Sequence, residues 1–181
     1  DMGLFGLRIP ETYGGLDLSF ECYAGVCMEL ARGWMSLAGL MNTHILVGYA
    51  INEYGTDDQK RRYLPRLVKP DIRCALSITE PDAGSDAQAI RTTATREGDH
   101  YVLRGQKMWV TNGHRAGVYL VLTKTNPEAE PRHRGISAFL VDAGTSGLVV
   151  GKQFDKLGYK GVETTELAFD DARVPAANLL G

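Results

Sequence analysis

The chain has 181 residues, of which 44% are hydrophobic and 23% charged, and its net charge is −2. That length and composition let it bury a sizeable core, which excludes disorder as a global description. Without a basic excess, it has no general electrostatic grip on nucleic acid.

In chain order, Ser19 is placed to cap a helix. Tyr23, Cys27, Leu30, Ala31 and Trp34 then repeat along one helical face, and Gly33 marks its end. A second helix runs from about Ser36 to Tyr54 and stops at Gly55. It is apolar on more than one face, which predicts burial between other elements. Thr56-Asp57-Asp58-Gln59 is a capping box, and the helix it opens is kinked or ended by Pro65. Past a boundary near Pro70–Arg73 the period becomes that of strands. Extended segments are predicted at 74–79, 91–97, 101–104, 118–125, 136–141, 148–150 and 166–169, with a hairpin turn at Gly98-Asp99. The fold class is therefore α+β: an N-terminal all-α domain (1–72) followed by an antiparallel β-barrel or sandwich domain (73–181).

Cys22, Cys27 and Cys74 form no C-x-x-C pair, which argues against a disulfide framework or zinc site and for reduced thiols in a cytoplasmic chain. The four histidines share no metal-ligand spacing. No run approaches the roughly 18 apolar residues of a membrane span, and Asp1–Pro10 lack a signal-peptide pattern. The first residue is not Met and the chain stops just after a short apolar run, so it is expected to be a piece of a longer protein.

Two stretches could carry chemistry. Thr79-Glu80-Pro81-Asp82-Ala83-Gly84-Ser85-Asp86 follows a strand end. Gly84 permits unusual backbone angles and close approach, and the Ser85 hydroxyl beside free amides can hold a phosphate or a carbonyl oxygen. The same residues also suit a plain surface loop of Asx and Ser turns. In Met108-Trp109-Val110-Thr111-Asn112-Gly113, strand alternation puts Trp109 and Thr111 on one face. That gives a flat surface and a hydroxyl of the kind a flavin needs, or else a core Trp with a satisfied Thr.

Together these stretches resemble the acyl-CoA dehydrogenase family. Leu76 to Asp86 looks like its first signature, and Gly105 to Gly113 like the strand that contacts its flavin. Gly6 to Gly15, Gly55 to Lys60 with Tyr63-Leu64-Pro65, and Phe169 to Pro175 with Asn178 to Gly181 are similar to further family segments, in the family's order. The resemblance implies a helical domain, a middle β domain and a C-terminal helical bundle, with only the first two present. It implies FAD, with Leu76, Ile78 and Thr79 along the flavin ring and Gly84 and Ser85 at its diphosphate. Trp109 would flank the ring face, and Val110 and Thr111 would meet its edge. Ser85 would also lie near the thioester ligand, and Asn42 near the acyl chain.

The implied reaction is α,β-dehydrogenation of an acyl-CoA thioester in fatty acid metabolism. Electrons would pass to an electron-transferring flavoprotein. The implied assembly is a homo-oligomer, a dimer or tetramer, in the cytoplasm or, in a eukaryote, the mitochondrial matrix. The family's catalytic Glu would lie beyond Gly181, so no catalytic residue is assigned here; the resemblance implies a structural role for Glu80. Asp82 and Val162-Glu163 depart from the family's usual residues and leave acyl preference open. Two other readings use the same scaffold: a flavin oxidase or monooxygenase, and a non-catalytic partner subunit of a hetero-oligomer.

Overall fold

The computed structural model describes residues 2–69 and 71–181. Pro70, on the expected domain boundary, lies outside the described residues, as does Asp1. Helix α1 spans Phe20–Tyr54 and α2 spans Asp57–Val68, and the strands begin at Arg73.

Ser19 caps α1, its hydroxyl accepting from the Cys22 amide at 3.3 Å. The helical path breaks at Trp34, where φ is −160° and ψ 107°. This is next to Gly33, as the sequence pattern predicts. The second arm buries Met41, His44, Ile45, Val47 and Ile51 but exposes Leu37 and Leu46. It is thus covered on one side only, not buried between other elements. Gly55 ends α1 in an extended conformation, with its N–H on the Ile51 carbonyl at 2.8 Å. A Cβ there would lie 2.4 Å from that oxygen.

Both halves of the capping box form: Gln59 N–H donates to Thr56 Oγ1 at 3.2 Å, and Thr56 N–H donates to Gln59 Oε1 at 3.0 Å. Pro65 does not end α2, which continues to Val68. Leu64 and Leu67 are fully buried, so packing holds the last turn despite the missing amide.

The strands are β1 (Arg73–Ser77), β2 (Thr93–Glu97), β3 (His100–Thr111), β4 (Ala116–Lys124), β5 (Ile136–Asp142), β6 (Leu148–Gln153), β7 (Thr164–Pro175) and β8 (Leu179–Leu180). They make one eight-stranded sheet in the order β6-β7-β3-β2-β4-β5-β8, with β1 on β4. The expected hairpin joins β2 to β3, from Glu97↔His100 to Thr93↔Arg104. The sheet is mixed and not wholly antiparallel: β1 runs parallel to β4 over Cys74↔Val118 to Ser77↔Val121, and β2 meets β4 in parallel at Thr93↔Lys124.

Alternation along β1, β4 and β5 explains how the layers pack. Ala75, Tyr119, Val121, Phe139 and Val141 turn to one face, where they meet Leu103, Val110, Leu167 and Phe169 from β3 and β7. The sheet therefore curls over a core of its own. Cys74, Val118, Leu120 and Leu140 turn to the other face, against Val47, Ile51, Tyr63, Leu64 and Leu67 of the helices. Strands buried on both faces read as near-continuous apolar runs, as Val118-Tyr119-Leu120-Val121-Leu122 does.

Candidate functional site

The two motifs lie side by side. Beyond the end of β1, Ile78-Thr79-Glu80 runs along β3, and Met108 N–H donates to the Thr79 carbonyl at 2.8 Å. Lys107, fully buried, donates from Nζ to the Ile78 carbonyl at 3.0 Å and to Glu80 Oε1 at 2.7 Å. The Glu80 carboxylate also accepts from Arg91 N–H at 2.6 Å and Thr92 N–H at 3.0 Å. Burial alone would raise the Glu80 carboxyl, but the hydrogen bonds from Lys107, Thr92 and Arg91 hold it below the usual carboxylate range. Burial pushes Lys107 down, against the pull of Glu80. A carboxylate so fully committed is a poor proton acceptor.

The β3–β7 register slips between Lys107 and Val110. Trp109 sits in this bulge at φ 59°, in the left-handed region that a bulky residue rarely occupies. Simple alternation therefore fails here. Lys107 and Val110 both turn inward, while Trp109 is 56% exposed. Its ring stands 4.7 Å from that of Phe154, tilted by 41°, so Trp109 is not a core side chain. The Val110 side chain belongs to the sheet core, which leaves only its backbone free to meet a ligand. Thr79 and Thr111 are half-buried. Leu76 is half-buried too, packed toward the helices.

In the loop after Glu80, Glu80 and Ala83 exchange backbone hydrogen bonds at 2.8 and 3.2 Å. Gly84 is not in the left-handed region that the sequence suggests. It is exposed, and a Cβ on it would meet nothing within 4 Å, so what it provides is open space over the backbone. Ser85 beside it is also exposed. Asp86 pairs with Arg132 at 3.1 Å, which ties this loop to the 126–135 loop.

Asn42 lies elsewhere, on the second arm of α1, and accepts a hydrogen bond from the Tyr23 hydroxyl. Burial, reinforced by Cys27, pushes that hydroxyl's pKa up. Asn42 lines an open, mainly apolar groove of about 470 Å³ with Tyr23, Cys27, Met35, Gly39 and Tyr159. A Cβ on Gly39 would lie 1.3 Å from Tyr159 Oη, so only glycine lets that ring approach. The 154–163 loop thus reaches both places, with Phe154 at Trp109 and Tyr159 at the groove. Sequence reasoning missed Phe154, Tyr159 and Lys107. Only Lys107 left a signal, as a charge next to the apolar Met108-Trp109-Val110 run.

Of the three atypical residues, Asp82 pairs with Arg91 on the surface at 3.3 Å, while Val162 and Glu163 have internal roles. Val162 is fully buried, and Glu163 accepts from Arg115 N–H at 3.0 Å and pairs with its Nε at 3.4 Å. Among the described residues, no group of three His, Cys, Asp or Glu could hold a metal ion.

The acyl-CoA dehydrogenase middle domain matches residues 75–172, and the N-terminal domain of the same family matches 1–71. The chain belongs to the acyl-CoA dehydrogenase family. It is 42% identical to an acyl-CoA dehydrogenase of Bacillus subtilis over 99% of this chain and 47% of the relative. It is 39% identical to the mitochondrial isovaleryl-CoA dehydrogenase of Pongo abelii over 100% of this chain and 43% of the relative. It therefore spans less than half the length of these relatives.

Among solved structures, the acyl-CoA dehydrogenase of Geobacillus kaustophilus matches with a TM-score of 0.92 and 41% identity, over 99% of this chain and 47% of that one. A glutaryl-CoA dehydrogenase of Mycobacterium smegmatis in complex with FADH2 matches with a TM-score of 0.89 and 34% identity, over 98% and 44%. A chain in a structure of the electron transferring flavoprotein of Acidaminococcus fermentans matches with a TM-score of 0.94 and 37% identity, over 99% of this chain and 47% of that one.

The residues present fit a flavin in this chain too. The Trp109 ring is exposed on a fixed strand, half-buried Thr79 and Thr111 lie on the two adjoining segments, and the backbone at Gly84 is open.

Proposed function

We propose that the whole protein is an FAD-dependent acyl-CoA dehydrogenase acting on the α,β bond of an acyl-CoA thioester. The observation that carries this reading is the Trp109 platform: an exposed indole on a bulge, joined to the Ile78–Thr79 segment by the Met108–Thr79 hydrogen bond. When bound, FAD would supply the chemistry of hydride acceptance. Trp109 would lie against the flavin ring, and Ile78, Thr79, Thr111 and the Val110 backbone along its edge. Gly84 and Ser85 would lie at its diphosphate, and Ser85 would also reach the thioester. The groove at Asn42 would take the acyl chain, and its apolar lining suits a hydrocarbon.

Removal of the α proton needs a free carboxylate. The Glu80 carboxylate is buried and engaged by three donors, the Arg91 and Thr92 amides and the Lys107 ammonium. We assign the base to sequence outside these 181 residues. We further infer that electrons leave to an electron-transferring flavoprotein, and that the assembly is a homodimer or homotetramer. Three free cysteines support a reducing compartment, the cytoplasm or mitochondrial matrix.

Heat-released cofactor from the whole protein should chromatograph as FAD, and acyl-CoA should drive dye reduction. Release of FMN, or of no flavin from folded protein, overturns the cofactor reading. The 181-residue chain with excess FAD should not turn over. Turnover near the whole protein's rate would place the base within it.

A further inference from the structure

We propose that Lys107 is a positioning residue: with Glu80 it locks the Ile78–Thr79 backbone in register with the Trp109 bulge, so that the two segments form one surface before a flavin arrives. This rests on the flavin reading above for its purpose, but its geometry stands alone. Among the described residues no ladder joins β1 to β3; β1 pairs with β4, and β3 with β2 and β7. The register of 78–80 against 107–109 is held instead by three consecutive anchors. Lys107 Nζ holds the Ile78 carbonyl at 3.0 Å, Met108 N–H holds the Thr79 carbonyl at 2.8 Å, and Lys107 Nζ holds Glu80 Oε1 at 2.7 Å.

Stability alone does not account for an ion pair here. Burying two charges costs as much as their attraction returns, and well-packed apolar residues often serve equally well. What an apolar pair would lack is direction: an ammonium with oxygen partners on two neighbouring residues fixes the backbone between them. The same Glu80 carboxylate holds Arg91 and Thr92 N–H at 2.6 and 3.0 Å. These amides close the far end of the loop that carries Gly84 and Ser85, so one ion pair sets the ring-side segment, the Trp109 bulge and the loop together.

The test uses the whole protein, and the Trp109 signal is taken as the difference between each variant and the same variant carrying Trp109→Phe. Lys107→Met removes the ammonium, and the double variant Lys107→Met with Glu80→Gln removes both charges, which guards against simple unfolding from a stranded carboxylate. The double variant should melt near the wild type and yet bind FAD at least roughly tenfold more weakly, the loss of one charged hydrogen bond. Without FAD, its Trp109 near-ultraviolet circular dichroism should weaken and its emission anisotropy fall. Wild-type FAD affinity in the double variant, or an unchanged Trp109 signal in a folded one, overturns the proposal. If the wild-type protein binds no FAD, the flavin reading fails on its own, and the Trp109 signal still decides whether the register is held by this pair.

Discussion

Trp109 holds a backbone conformation that tryptophan does not favour. Its φ of 59° is the left-handed region, which costs an L-residue roughly 1–2 kcal/mol. Glycine has no such cost, and little is lost by removing a half-exposed ring. Trp109→Gly should therefore leave the fold no less stable, and up to about 1 kcal/mol more stable once the freer unfolded chain is counted. The same change should weaken FAD binding roughly tenfold by removing an aromatic face. Urea titration and flavin titration of one variant would move in opposite directions; a large loss of stability with unchanged FAD binding would make Trp109 a structural residue after all. The sequence made Trp109 and Thr79 visible as candidates, since a large ring on a strand and a loop of Pro, Gly and Ser are local signals. It hid the bulge, because period-2 reading assumes an unbroken register, and a one-residue slip reverses every face beyond it. It also hid Glu80's partners, which come from 11 to 27 residues away.

At the scale of elements, the turn chemistry was the most legible part. The Thr56 capping box is local in sequence and forms as read. Thr56→Ala should cost about 1 kcal/mol, measurable by urea denaturation. An effect near zero would mean that the bonds from Gln59 Nε2 to Ala177 and Leu179, both 2.8 Å, hold α2 without the cap. The break in α1 was readable from Gly33, whereas the persistence of α2 through Pro65 was not, because buried Leu64 and Leu67 answer to packing partners far along the chain. The docking of the 154–163 loop was equally hidden. It depends on Gly39, a residue with no turn to make. Gly39→Ala should push the exposed Tyr159 ring out of the groove while changing stability by no more than about 1 kcal/mol, since the ring can swing into solvent and alanine favours the helix. Tyr159 phenol fluorescence or a structure of the variant would reveal the shift; an unmoved ring at full stability would contradict it.

For the whole molecule, acid stability turns on His44. The ring is buried, its Nε2 lies 3.0 Å from the Leu67 carbonyl, and its Nδ1 has no hydrogen-bond partner. Phe5 packs edge-on at 4.9 Å. A second proton would be stranded among apolar groups, and burial pushes the pKa down to about 4 from 6.5. The unfolded chain takes up that proton first, so the contribution is complete above pH 6.5 and lost as pH falls toward 4. By pH 5 the loss should be about 2 kcal/mol. His44→Gln, which keeps a donor for Leu67, should flatten the fall in stability between pH 7 and pH 5; an unchanged slope would assign it to other groups.

The two-faced strands β1, β4 and β5 also bear on how the molecule comes apart. Two family domains match the chain, and sequence reading divides it near residue 72, yet the helices bury Val47, Ile51, Tyr63, Leu64 and Leu67 on the back of the sheet. Away from the sheet their own cluster is small, built on Leu7, Met41 and Ile45. Strand β4 serves both cores at once, so the helical region has no separate state to melt into while β4 stays paired. Calorimetry should then record a single transition whose van't Hoff and calorimetric enthalpies agree. Amide exchange should be slowest in β4, where opening requires both cores to be lost together.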